Sequence, residues 1–324
     1  MSRERIFYFV YDDNRPRGGE KHSYEHVDLL NASGYDAYAL HTREGFRLSW
    51  FENETRTIHL EAFWNIYDKD RDYIVLPEPL GALAFAAPGR RVIFNKNLYL
   101  GYASLGLFRQ ARYPFDSKNV VGVLSVSDHN LEHLRLAFPG ASLFRMYAFI
   151  DCDLFDFRPL AQKRKRIVCT TKAPEDVAVL YHTLFARSAA GLNQIADYEW
   201  VFLRSLSEAD TARLLRESLM VISLSTHEGL PRVVLEAMAS GCLVVGYGTG
   251  PLKECLPEEY RFQHDDFMGL VRHIEQITEQ FPKGLQHWTH ITEQARRVAE
   301  TYTRARQQEH LIAAWQQICA SDTH

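Results

Sequence analysis

The chain has 324 residues, 46% of them hydrophobic, and its 37 Lys and Arg against 41 Asp and Glu leave a net charge of −4. These values exclude a disordered chain, a fibre and a small disulfide-dependent module, and at roughly 150 residues per domain they predict two domains, each with its own core. The mild acidity argues against a protein that lives on nucleic acid, and five cysteines (Cys152, Cys169, Cys242, Cys255, Cys319) without C-x-x-C spacing fit a reducing cytoplasm.

In chain order, the N-terminal MSRERIFYFVYDDNRPRGG is broken by charge and turn residues too soon for a signal peptide. The longest weakly polar stretch, residues 79–88, falls far short of the ~20 residues a membrane helix needs, which leaves only peripheral membrane contact open. The pattern predicts strands over residues 5–10, 35–41, 73–76, 91–94 and 120–126. A loop over 11–19 and a helix over 20–32, closed by Gly34, follow the first strand, and Ser127 caps a later helix. The strands are near-continuous apolar runs, as in parallel sheets covered on both faces, so this half reads as a doubly wound α/β domain.

Residues 151–166, DCDLFDFRPLAQKRKR, change the texture and mark a boundary. A second βα series is expected beyond it, with strands over 167–170, 199–203, 219–224 and 242–245 and helices over 175–187, 207–217 and 231–240. The stretch from about 267 to 320 reads as helices only. The expected division is 1–152, 153–300, and a final helix over 301–324 returning to the first domain. Two open α/β domains of this kind create a ligand cleft at the carboxyl ends of their strands.

The most informative segment is Ser223 to Glu254, SLSTHEGLPRVVLEAMASGCLVVGYGTGPLKE. A buried strand is followed by a loop and by Pro231, where a helix is expected to start. The amides of Gly229 and Leu230 lie at that helix start, suited to an anion or sugar hydroxyls. Glu228 and Glu236, eight positions apart, can reach different parts of one extended ligand.

This E-G-L-P-x-x-x-L-E-A-M-A-S-G run resembles the E-x7-E signature of retaining glycosyltransferases of family 4, a group with the GT-B fold of two Rossmann-like domains. The resemblance implies a metal-independent hexosyl- or pentosyltransferase of glycan biosynthesis, with a nucleotide diphosphate sugar as donor and no separate cofactor. Carried over by position, Glu228 touches the transferred sugar and Glu236 the ribose hydroxyls, as a carboxylate can by accepting two hydrogen bonds from a vicinal diol. Gly18 and Gly19, after the first strand, stand where similar enzymes place a Gly-rich loop against the donor phosphates and the acceptor.

Lys172 ends the first strand of the second domain and is placed to meet the leaving diphosphate. The resemblance implies an Arg beside it, but Thr171 stands there. Arg204, at the end of the next strand, is the better alternative, and Arg166 the other. Asn95, Asn97, Tyr99 and Tyr102 follow a first-domain strand and suit sugar hydroxyls or stacking, or equally a plain turn. Gly248 and Thr249 resemble the loop near the base or the β-phosphate.

His22-Ser23-Tyr24-Glu25-His26 matches an inverted zinc-protease pattern, with no third ligand in the sequence. Lys163 to Arg166 reads as a solvated basic run, and His287-Trp288-Thr289-His290 as helix surface. The alternatives are a non-catalytic sugar-nucleotide-binding protein, a sugar-nucleotide epimerase of the same fold, and, for the acceptor, a modified DNA base. A glycan, a lipid-linked glycan, a small molecule and a nucleic acid all stay open as acceptor.

Overall fold

Apolar strands separated by amphipathic helices fold into two units, formed by Met1–Phe149 with Arg304–His324 and by Ile150–Thr303. A computed structural model describes residues 4–103, 113–116, 118–248 and 250–321. Among these, no helix is long and apolar enough to cross a membrane.

The first unit runs β1 (Arg5–Phe9), α1 (Gly18–Ala32), β2 (Asp36–His41), β3 (Thr57–His59), α2 (Leu60–Ile66), β4 (Tyr73–Pro77), β5 (Arg90–Asn95), α3 (Leu98–Ala103), β6 (Val120–Ser125), α4 (Asp128–Ala137) and β7 (Leu143–Arg145). Its seven parallel strands lie in the order β3-β2-β1-β4-β5-β6-β7. The strand order reverses between β1 and β4, which makes their carboxyl ends the natural ligand crevice of this sheet. Phe7, Leu40, Phe63 and Leu76 build one core cluster and Ile93, Phe115, Val123 and Leu134 another.

The helix after β1 begins two residues before the position expected from sequence. The Arg17 carbonyl already accepts from the amides of Glu20 (3.0 Å) and Lys21 (3.3 Å), which draws Gly18 and Gly19 into the first turn. At the other end Gly34 takes φ +85°, open to glycine at little cost, and the Tyr35 amide bonds the Leu30 carbonyl. Ser127 caps α4 as expected, its Oγ accepting from the Asn130 amide at 3.2 Å.

The second unit runs β8 (Arg164–Thr170), α5 (Pro174–Ala189), β9 (Glu199–Leu203), α6 (Glu208–Glu217), β10 (Ser218–Ser223), α7 (Arg232–Ala239), β11 (Leu243–Tyr247), α8 (Leu252–Cys255), β12 (Arg261–Phe262), α9 (Phe267–Gln280) and α10 (Leu285–Ala299). Its parallel order is β12-β11-β10-β8-β9, with the reversal between β8 and β10. The last helix, α11 (Arg304–Ser321), belongs to the first unit, where Trp315 is fully buried and its indole N–H donates to the Tyr8 hydroxyl at 3.2 Å.

The basic run at the unit boundary is not a solvated linker. Lys163 is buried, and its ammonium donates to the carbonyls of Leu215 (3.1 Å), Arg216 (3.2 Å) and Ser240 (2.9 Å), at the carboxyl ends of α6 and α7. β8 starts at Arg164, three residues earlier than expected, and Arg166 pairs with Glu199 (2.8 Å) and Glu217 (3.2 Å). A cation at two helix carboxyl termini answers both dipoles, which is why this charge tolerates burial.

Candidate nucleotide-sugar site

In the second unit β8 and β10 are neighbours, with Val168 opposite Val221 and Cys169 opposite Ile222. Their chains leave the sheet in opposite directions, so the loops after them frame a crevice. Lys172 stands in the loop after β8 and Glu228 in the loop after β10. The Lys172 ammonium donates to Glu228 Oε2 at 2.7 Å; the lysine side chain is 64% exposed and the glutamate only 8%. An exposed cation thus rests on a sheltered carboxylate, ready to exchange it for an incoming anion.

Gly229 is buried and Leu230 partly so, and Pro231 is the residue before α7, whose first residue is Arg232. Glu236 lies one turn on and is reached by Arg232, Nε to Oε1 at 3.8 Å, with both side chains mostly buried. Arg232 escaped the sequence reading. Its signal was available: an Arg four positions before the second Glu of the motif sits on the same helix face.

Arg204 directly follows Leu203, whose carbonyl accepts from the Oγ1 of Thr171, the residue next to Lys172, at 3.2 Å. Arg204 lines a cavity of about 270 Å³ with Thr171, Pro174, Tyr181, His182 and Phe202, between α5 and the edge strand β9. Arg166 is the third residue of β8, near the strand's amino end and paired there with Glu199 and Glu217, away from the carboxyl end that leads to Lys172. Gly248 is committed elsewhere: its amide donates to the Phe262 carbonyl at 2.8 Å, and a Cβ there would lie 2.4 Å from Arg261 Cβ. Thr249 lies outside the described residues.

In the first unit, a Cβ on Gly19 would meet the Lys96 side chain at 3.1 Å, and Lys96 in turn pairs with Glu20 at 3.0 Å. Asn95 is buried and bonded to Asn130, and Asn97 caps α3 through the amides of Tyr99 and Leu100. Tyr102 packs edge-on against His133 at 5.7 Å, whereas Tyr99 is exposed. His22 and His26 are interior residues bonded to the Tyr147 carbonyl and the Tyr8 hydroxyl, and Glu25 accepts from Gln307. Among the described residues no three His, Cys, Asp or Glu gather as metal ligands. Trp288, expected on a helix surface, is buried.

Residues 196–297 match the model of the family described as glycosyl transferases group 1. No curated protein matches the sequence. Among solved structures, a sucrose-phosphate synthase from Thermosynechococcus elongatus shares 15% identity at a TM-score of 0.70, covering 98% of this chain and 100% of that one. The Anabaena protein HepE in complex with UDP shares 14% at 0.64, covering 98% and 99%. An alpha-glucosyltransferase in complex with UDP and a 13-mer DNA containing a HMU base shares 13% at 0.62, covering 98% and 100%. The chain therefore has the GT-B fold of two Rossmann-like units, and its second unit carries the pattern of the group 1 glycosyl transferases.

Proposed function

We propose that this protein is a retaining glycosyltransferase that moves a sugar from a nucleotide diphosphate sugar to an acceptor hydroxyl. The observation that carries the reading is the Lys172–Glu228 pair at the reversal between β8 and β10, directly ahead of α7 and Glu236. The family match over residues 196–297 supports sugar transfer, and UDP in several structures of like fold supports a nucleotide-sugar donor.

In this reading Lys172 turns from Glu228 to the diphosphate and stabilises the negative charge that builds as the sugar–oxygen bond breaks. The bond's electron pair goes to the diphosphate, the acceptor oxygen forms its bond on the same face, and the acceptor proton passes to a diphosphate oxygen. Glu228 holds the sugar, Glu236 the ribose, and the amides of Gly229 and Leu230 supply donors at the start of α7. Gly18 and Gly19 serve the first unit's share of the site. The residues act by position and charge, with no protein nucleophile and no metal. Five unpaired cysteines fit a cytoplasmic setting. Of the basic run that suggested a DNA acceptor, Lys163 and Arg166 are buried in the fold, while Arg164 and Lys165 stay exposed and keep that alternative open.

The test is a thermal-shift panel of UDP-, GDP-, ADP-, TDP- and CMP-sugars, with and without EDTA, on wild type and Glu236→Ala. A ligand at 100 times its Kd stabilises by about 2.7 kcal/mol, a rise of a few degrees. One nucleotide class shifting wild type alone, regardless of EDTA, is the expected result. No shift with any donor removes the donor site.

A further inference from the structure

The first sheet has a reversal of its own, between β1 and β4, and the side chains there are polar, buried and incompletely paired. Pro77 registers with Phe94, and Asn95 with Ser125, so Glu78, Asn95 and Ser125 follow one another across the carboxyl ends of β4, β5 and β6. None is more than 2% exposed, and each keeps an atom without a hydrogen-bond partner: Glu78 Oε2, Asn95 Nδ2 and Ser125 Oγ. A Cβ on Gly101 would lie 3.5 Å from both Asn95 Nδ2 and Glu78 Cβ, so these two side chains border the same spot. Lys96 links the row to the first turn of α1, where Glu20 takes its ammonium on Oε1 and leaves Oε2 without a partner.

A buried polar atom left unpaired loses its water without gaining a partner, so interiors contain few of them. Four in one cluster, at the strand ends where an open α/β sheet takes its ligand, point to a molecule that completes them. The chemistry of that molecule follows from the wall. Glu20 accepts, Glu78 accepts when ionised and donates when protonated, Asn95 Nδ2 donates, and Ser125 does either. Two carboxyl groups and a single ammonium, itself paired with Glu20, offer a phosphate no surplus positive charge and suit the vicinal hydroxyls of an uncharged sugar.

We propose that the strand reversal of the first unit binds the hydroxyls of a neutral saccharide through Glu20, Glu78, Asn95 and Ser125. The inference rests on the reading of the protein as a glycosyltransferase and supplies its acceptor end. Gly19 is part of the device. The three atoms nearest its absent Cβ all belong to Lys96, whose flexible stem crosses there and swings aside for the ligand.

The test is calorimetric titration of the full chain, saturated with UDP, with glucose, galactose, mannose and N-acetylglucosamine and with their 6-phosphates. At least one neutral sugar is expected to bind more tightly than its phosphate. Its affinity is expected to fall about tenfold in Asn95→Leu and Glu78→Leu. UDP affinity within about twofold of wild type shows that a variant is folded; Gly19→Ala and Glu78→Gln, milder changes, serve where it is not. Failure of every neutral sugar to bind, preference for the phosphates, or unchanged affinity in the folded variants overturns the proposal. So does an effect confined to the ratio of UDP-glucose to UDP affinity, which would assign the row to the transferred sugar. Failure of wild type to bind UDP counts against the donor reading instead, and titration without UDP then still decides the row.

Discussion

Lys172 donates to Glu228 at 2.7 Å across the point where the second sheet reverses its strand order, and the two side chains differ sharply in exposure. The carboxylate holds the lysine in place and at the same time competes with any diphosphate for it. Glu228→Gln is therefore expected to free the ammonium and bind UDP roughly three- to fivefold more tightly, worth about 1 kcal/mol, while transferring sugar more slowly. Lys172→Ala is expected to lower kcat/KM by about 10²–10³-fold with a melting temperature changed by about a degree or less. UDP titration, initial rates and a melt on the same three proteins check both. Equal UDP affinity in wild type and Glu228→Gln removes the competition.

Glu236 is mostly buried in α7 with Arg232 at 3.8 Å, an arrangement that presents one carboxylate of fixed orientation. If it holds the ribose, its loss costs a charge-assisted pair of hydrogen bonds, about 1.5–3 kcal/mol, or roughly ten- to a hundredfold in UDP affinity. The same variant, Glu236→Ala, is expected to lose the wild type's preference for UDP over 2′-deoxy-UDP. Titration of both nucleotides into both proteins gives the four constants. A preference that survives in Glu236→Ala places the ribose elsewhere.

The fold and the motif were legible because they rest on local signals: apolar runs bounded by Gly34, Ser127 and Pro231, and two glutamates eight apart. What stayed hidden depended on partners distant in sequence. Lys163 looks like a linker residue until α6 and α7 bring the Leu215, Arg216 and Ser240 carbonyls to it. The short strands β3, β7 and β12, of two or three residues, are too brief to show a period. Arg204 follows the edge strand β9 and shares its cavity with Thr171, a neighbourhood set by the β8–β9 pairing that no local signal displays. Glu78 sat unnoticed before an apolar stretch; a single carboxylate at the end of a buried strand was the available signal.

Lys163 ties the carboxyl ends of α6 and α7 together, and Lys163→Met would leave three carbonyls without their donor and two helix ends without a countercharge. The expected loss of stability is about 2–4 kcal/mol. Its neighbour Arg164, exposed at the start of β8, is the control, and Arg164→Ala is expected to change stability by no more than about 0.5 kcal/mol. Urea unfolding of the three proteins decides between a structural and a surface role for the basic run. A Lys163→Met midpoint equal to that of Arg164→Ala refutes the structural one.

Burial, with Lys96 opposing it and Glu20 adding to it, pushes the Glu78 carboxyl from its ordinary 4.5 up to about 7. The raised value means that the folded chain holds this proton more tightly than the unfolded chain does. The resulting stabilisation is fully present below pH 4.5 and is lost as the pH rises through 7. Glu78→Gln carries no proton to lose. It is expected to match wild type near pH 4.5 and to exceed it by up to about 3 kcal/mol at pH 8, the size of a shift of this order. The charges facing Glu78 are the Lys96 ammonium beyond β5 and the Glu20 carboxylate on α1, and both are present in wild type and variant alike. Urea unfolding of both proteins at half-unit steps from pH 4.5 to 8 measures the difference directly. A difference that stays flat across this range shows that Glu78 titrates as an ordinary carboxylate, and a difference of opposite sign shows that its ionised form is the one the fold stabilises.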